Sequence, residues 1–307
     1  MEEQTTVTNP RLSNPFADLW VVVRGGGDIA SGAIQRLRWA GFPLIVTELE
    51  KPLVVRRLVS FSNAVYEGQC LIERTPAKRV ASVAEAQAYL EQEPEGVPVL
   101  VDPTAELLHE VRPTVLVDGR MAKQALDTHV DQAPIVIALG PGFEAGIHAD
   151  AVIETAGGSQ CGRAYFSGKP AEDSGVPCVS SGYRHERVLR APISGTFRGC
   201  KDIGELVEAG EVVGWVHTDG AAKVPVKTQI SGVLRGLLHS DLEVVEGVKL
   251  GDLDHRGESS DCCRVSEKAD SVASGVLEAV ARLGIVKGLF ARAPERAASG
   301  KGRRATA

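Results

Sequence analysis

No apolar run in this chain of 307 residues approaches the roughly 20 needed to cross a bilayer, so no membrane span is expected. The N-terminus has no basic-then-apolar leader, and the expectation is a cytoplasmic protein. Basic excess is missing too: a formal net charge of −6 argues against a nucleic-acid binder, which needs a basic face. Aromatic residues are scarce at 5%, yet 43% hydrophobic and 24% charged residues suit a soluble globular chain with room for two domains. The cysteines, at 70, 161, 178, 200, 262 and 263, include no C-x-x-C pair. They read as reduced thiols of a cytosolic chain, and no metal site is assigned to them.

What the chain does have is a short β-branched run that stops at three glycines. Val21-Val22-Val23-Arg24-Gly25-Gly26-Gly27-Asp28-Ile29-Ala30 passes straight into a helical pattern, with Ile29, Ala33, Leu37 and Ala40 at helical spacing. Gly25, Gly27 and Ala30 fit the G-x-G-x-x-[GA] form of a dinucleotide-binding turn. The first glycine permits the turn, the second lets backbone approach a pyrophosphate, and the small third residue lets helix pack on strand. The N–H groups of the helix start, from Asp28 and Ile29 onward, then face an anion. A second strand, Pro43 to Thr47, ends at Glu48, where an acid can accept hydrogen bonds from a ribose diol. That acid favours NAD over NADP. The same glycines also suit a tight turn in a sheet that binds no nucleotide.

Further apolar strands end in acids or glycines. Val97 to Val101 ends at Asp102, Val115 to Val117 at Asp118, and Ile135 to Leu139 at Gly140-Pro141-Gly142, with Val152-Ile153-Glu154 closing the sheet. In a parallel sheet these ends share one edge, where ligands bind. Cofactor-binding candidates are therefore Gly25, Gly26, Gly27, Asp28, Ile29, Glu48, Gly140, Pro141 and Gly142. Catalytic candidates are Asp102, Asp118 and Lys123, the lysine read as one turn into a helix and able to donate a proton. Arg56 and Arg57, just past the second strand, can fork a phosphate or form a solvated turn.

The second half repeats itself. Ile193–Val216 shifted by 37 residues lands on Ile230–Leu253 without a gap, matching Ile-Ser-Gly at 193–195 with 230–232 and Arg198-Gly199 with Arg235-Gly236. Two such halves resemble the barrel-sandwich hybrid of biotinyl and lipoyl carrier domains. The connection His217 to Lys223 lacks the Met-Lys-Met of a carrier, so the module is read as a docking or substrate-capping domain. Cys262-Cys263 follows, most simply structural, with a helix start nearby that would lower a thiol pKa. Ser266 to about Leu289 is expected as a helix with Val272, Val276, Leu277, Val280, Leu283 and Ile285 on its apolar face.

The expected fold is α/β: an N-terminal Rossmann-like parallel sheet, a small all-β barrel-sandwich hybrid and a C-terminal helix. Its parts are a disordered tail (1–18), the nucleotide-binding domain (19–160), a linker (161–185), the barrel (186–256), a helical segment (257–290) and a second tail (291–307).

Several segments carry a resemblance. They are Val22 to Gly32, Glu48-Leu49-Glu50-Lys51-Pro52, Val99 to Pro103, Met121-Ala122-Lys123, Ala138 to Gly146, Ile153-Glu154-Thr155, Glu186 to Pro192, Ile230 to Gly236 and Gly275 to Ala279. In this order, over about residues 20–285, they resemble the bacterial YqeB-type accessory proteins of selenium-dependent molybdenum hydroxylase systems. The resemblance implies a maturation role for hydroxylases of the xanthine dehydrogenase type. It further implies a molybdenum hydroxylase or its other maturation factors as partners, and molybdenum cofactor as cargo or substrate. One departure stands out. The family pattern places an Arg-Gly-His segment after Ile-Glu-Thr, whereas this chain has Ala156 to Cys161 before Gly162-Arg163. Chemistry performed by that histidine is then absent here or falls to Cys161, which puts the selenium-specific role in doubt.

Two other functions remain open at this level: a non-catalytic assembly scaffold, and an NAD-dependent oxidoreductase of a small metabolite. His109, His129 and His148 have no acidic orienter in view, which weighs against the oxidoreductase. A homo-oligomer is compatible with the sequence.

Overall fold

The computed structural model describes residues 14–173, 175–176, 182–218 and 223–290. The expected tails at 1–13 and 291–307, part of the expected linker and residues 219–222 of the connection between the two repeats lie outside the described residues.

β-Branched runs make the first sheet. The chain runs β1 (Val21–Arg24), α1 (Asp28–Trp39), β2 (Leu44–Glu48), the one-turn α2 (Ala64–Glu67), β3 (Gln69–Ile72), β4 (Thr75–Val80), α3 (Val83–Gln92) and β5 (Val97–Val101). Then come α4 (Leu107–Val111), β6 (Val115–Asp118), β7 (Ile135–Leu139), β8 (Ala151–Ile153) and β9 (Ala164–Tyr165). The nine-stranded sheet has the order β3-β4-β5-β2-β1-β6-β7-β8-β9. Pairings are parallel from β4 across to β8 and antiparallel only at the two edges. β1, β2, β6 and β7 are buried at every position, as strands covered on both faces must be. The chain leaves β1 for β2 on one side and later returns to β6 on the other, which opens a crevice at the C-terminal ends of β1, β2 and β6.

The expected linker is in part sheet: β9 pairs with β8, and Ala145 N–H bonds the Gly168 carbonyl at 2.8 Å. The expected tail is anchored from residue 14, where Asn14 bonds the Gly41 carbonyl and Phe16 stacks on Phe42 with ring centres 4.3 Å apart.

The second unit holds β10 (Val188–Arg190), β11 (Gly195–Gly199), β12 (Leu206–Val207), β13 (Val212–His217), β14 (Lys223–Lys227), β15 (Gly232–Leu237), β16 (Leu242–Val244) and β17 (Lys249–Asp254). It forms two four-stranded sheets, β10-β17-β15-β12 and β14-β13-β11-β16. The 37-residue shift carries β11 onto β15, β12 onto β16 and β13 onto β17, and places Val188–Arg190 within β14. Each sheet is thus the image of the other. Each copy lends its short strand, β12 or β16, to the sheet of its twin. Neither copy can close a core alone, and Phe197, Val216, Leu234 and Leu253 fill the shared interior.

Helix α5 (Glu267–Val286) does not form a segment of its own. Ser266 caps it by accepting the Ala269 N–H, and its buried face of Ala269, Val272, Ala273, Val276, Ala279 and Val280 completes the core of the first unit. Ile285, expected on that face, is 72% exposed, since it lies five residues past Val280, about 140° around the helix from the buried stripe.

Candidate functional site

The glycine turn sits at the crevice. Gly25 has φ +87°, a left-handed conformation that favours glycine, and its N–H bonds the Thr47 carbonyl at 2.8 Å. A side chain there would also press on Arg120. The Gly26 N–H donates to Glu48 Oε1 at 2.7 Å. Gly27 caps α1 without a side chain, and a Cβ on it would meet nothing within 4 Å. Ala30 is small because Gly119 lies against it; a Cβ on Gly119 would come within 2.7 Å of the Ala30 Cβ. Ser31 holds the turn from behind, donating to the Gly26 carbonyl and accepting the Phe61 N–H, both at 3.0 Å.

The cleft in front measures about 340 Å³ and is lined by Gly25, Gly27, Asp28, Glu48, Leu49, Leu53, Asp102 and Arg120, among others. Leu49 and Leu53 are half exposed, so one wall is apolar while the helix start offers N–H groups opposite. Such a cleft can take an anion at the turn and a flat apolar group against the leucines.

Glu48 is buried and already employed. Besides Gly26, it accepts the Leu49 N–H at 2.9 Å and the Ser62 hydroxyl. A carboxylate offers about four acceptor positions, so one remains for a ribose hydroxyl.

The three catalytic candidates have separate tasks. Asp118 is fully buried and accepts from Arg120 N (3.1 Å), Nε (3.0 Å) and Nη2 (2.6 Å) and from the Thr128 hydroxyl (2.5 Å). That set leaves it no free acceptor. Asp102 binds the N–H groups of Glu106 and Leu107 at 3.0 and 2.9 Å and so starts α4. Lys123 lies in coil rather than in a helix, because the β6–β7 connection there carries no α-helix. Its side chain is 73% exposed and pairs with Asp173 at 2.7 Å.

In place of a helix, a charged knot holds that connection. Buried Arg24 pairs with Asp127 at 2.7 Å, and Arg120 bridges Asp127 and Asp118. Burial works against the Asp127 charge, but hydrogen bonds from Arg24 and Arg120 outweigh it and hold the carboxyl well below the usual range. Arg120 is thereby fixed at the mouth of the cleft. Reading strand ends alone passed over it, although Asp118-Gly119-Arg120 places it two residues past β6.

Gly140, Pro141 and Gly142 are not brought to the glycine turn. Gly142 packs on the backbone of Ala122 and Gln124, and Pro141 lines a second cavity of about 860 Å³ with Lys123, Glu154 and Cys161. Glu154 is buried there, accepting the N–H groups of Thr155, Ala156 and Ala171, each at 2.8 Å. Arg56 and Arg57 do not form the solvated turn. Arg57 Nε donates to the Leu237 carbonyl at 2.8 Å, while Arg56 is buried. Cys262 is buried too, and burial pushes its thiol up, against the expected lowering by a helix start.

Fold and cleft together define a two-unit α/β chain, with a large mixed sheet, a C-terminal helix and a glycine-turn crevice. The chain is YqeB-like along most of its length: it is 44% identical over 271 residues to the uncharacterized protein YqeB of Escherichia coli (strain K12), covering 88% of itself. It spans about half of that relative, 49% of its length. No family model matches. Among solved structures, an aspartoacylase family protein from Mesorhizobium loti is 14% identical, with 76% of this chain and 84% of that chain covered, at a TM-score of 0.27. The ectoine utilization protein EutE (DoeB) of Ruegeria pomeroyi is 11% identical, with 76% and 85% covered, at a TM-score of 0.26. Likeness at that level carries no argument about fold or activity.

Proposed function

We propose that this chain is a cytoplasmic accessory protein in the maturation of molybdenum hydroxylases, and that its first unit, a Rossmann-like domain, binds a nucleotide or a nucleotide-bearing cofactor. The observation that carries the nucleotide-binding part of the proposal is the open space in front of Gly27, at an uncapped helix start between the ends of β1, β2 and β6. NAD and molybdopterin nucleotides both present the pyrophosphate such a turn accepts. The second unit, read as a barrel-sandwich hybrid, docks the hydroxylase or another maturation factor. Binding without turnover is favoured over an oxidoreductase because Asp118 and Asp102 are both committed to backbone and side-chain partners within the fold.

A thermal-shift panel of NAD, NADP, FAD, ATP and CTP tests the proposal. A ligand at about 100 times its Kd should add about 2.7 kcal/mol of stability, a shift of several degrees. Gly27→Val should remove that shift while keeping the unliganded melting point, since the new side chain meets only the cleft. An unchanged ligand shift in this variant would exclude the glycine turn as the site.

A further inference from the structure

A crevice of about 790 Å³ separates the two units. It receives the starts of two helices, Asp28 of α1 and Ser266 of α5. Basic side chains outnumber carboxylates along its walls, in a chain whose net charge is −6. Arg56 comes from the first unit and Arg235 from the second.

Arg56 is 7% exposed and poorly served for a buried cation. Its Nη2 donates to the Arg264 carbonyl at 3.2 Å, and its Nη1 lies 3.9 Å from the Asp28 carboxylate, beyond hydrogen-bond reach. Its Nε finds no acceptor among the described residues. Arg235, one quarter exposed, stands 3.9 Å from Asp254. The two arginines are neighbours because the Leu237 N–H bonds the Val55 carbonyl and Gly236 packs against Val55. Two like charges held side by side, one buried and one a quarter exposed, with partners this distant, are costly unless an anion completes their shell.

The internal repeat supplies a control. Arg198 occupies the position in the first copy that Arg235 occupies in the second. There it pairs with Asp241 at 2.9 Å on the outer surface and is 61% exposed. The same residue in the same local fold therefore faces solvent in one copy and the crevice in the other.

We propose that the crevice binds a phosphate group between Arg56 and Arg235, at a site distinct from the glycine turn. Asp28 and Ile29 line both cavities, so the phosphate sits beside whatever occupies the cleft. It belongs either to a second, phosphorylated ligand or to the distal phosphate of the cleft nucleotide.

Calorimetric titration of the full chain with inorganic phosphate tests this, with melting points confirming that each variant folds. Arg235→Gln should weaken phosphate binding about tenfold or more, the loss expected for a charge-assisted hydrogen bond. Arg198→Gln should leave it unchanged. Absence of binding by the wild-type chain, equal losses in Arg198→Gln and Arg235→Gln, or loss in Gly27→Val alone would each overturn the proposal. Where phosphate binds as expected, its displacement by ATP but not by AMP identifies the nucleotide tail as the source. Binding alongside ATP identifies a second ligand.

Discussion

Glu48 shows how a side chain can be placed correctly by sequence and still have a task that sequence does not reveal. Its position at the end of β2 follows from the length of the βαβ unit. Its partners do not, since Ser62 arrives from a turn fourteen residues on and Gly26 from the preceding loop. Its acceptance of two backbone N–H groups makes it a fastener of the glycine turn. Glu48→Gln replaces one acceptor oxygen with an NH₂ that must face an N–H or a hydroxyl. Chemical denaturation should show a loss of about 1–3 kcal/mol, the cost of a buried group left unsatisfied. A variant as stable as the wild type would return Glu48 to a purely ligand-binding role. The same lesson holds for Asp118, where strand periodicity located the acid but gave no hint of Arg120 and Thr128 converging on it.

Strands buried on both faces were legible because their β-branched runs are bounded by acids and glycines. The β3–β4 hairpin was not, since β3 is short, its Cys70-Leu71-Ile72 run is brief and only Ile72 is buried. Helix α5 was legible as a helix from its 3.6-residue period, but its destination was hidden, because small residues mark its contact with α1. A Cβ on Gly32 of α1 would lie 2.7 Å from the Ala269 carbonyl oxygen of α5, and one on Gly275 would strike the Gly162 carbonyl. Replacing glycine by alanine inside an exposed helix normally stabilises by up to about 1 kcal/mol. At Gly32 the sign should reverse. Gly32→Ala must push backbone from backbone and should cost about 1–3 kcal/mol, as overpacking does. Urea melts of Gly32→Ala would decide the matter, and a midpoint above that of the wild type would show that the helices yield without strain.

The two units join through the segment after β2, which binds the second unit by backbone, by Arg57 and by a histidine. Two-unit organisation was legible from the repeat; this docking was not, because the sequence around Arg56 and Arg57 looks like a basic turn. His239 Nε2 lies 2.7 Å from Asn63 Oδ1, an acceptor, so Nε2 carries the proton of a neutral ring. The ring lies on Tyr66 with centres 4.1 Å apart. Burial, reinforced by the Arg57 charge and opposed by Glu67, lowers its pKa to about 4. The folded chain therefore resists a proton that the unfolded chain accepts near pH 6.5. The stabilisation is complete above that pH and is lost as pH falls toward 4, by about 3 kcal/mol at most. Carboxylates such as Asp127, held low in the fold, lose their contribution only below the ordinary carboxylate range, so the histidine window stands apart from theirs. Melting points measured from pH 7.5 to 4.5 should fall for the wild type and fall less for His239→Gln, whose amide can still donate to Asn63. Parallel curves for the two proteins would place the acid sensitivity elsewhere and leave the docking indifferent to pH.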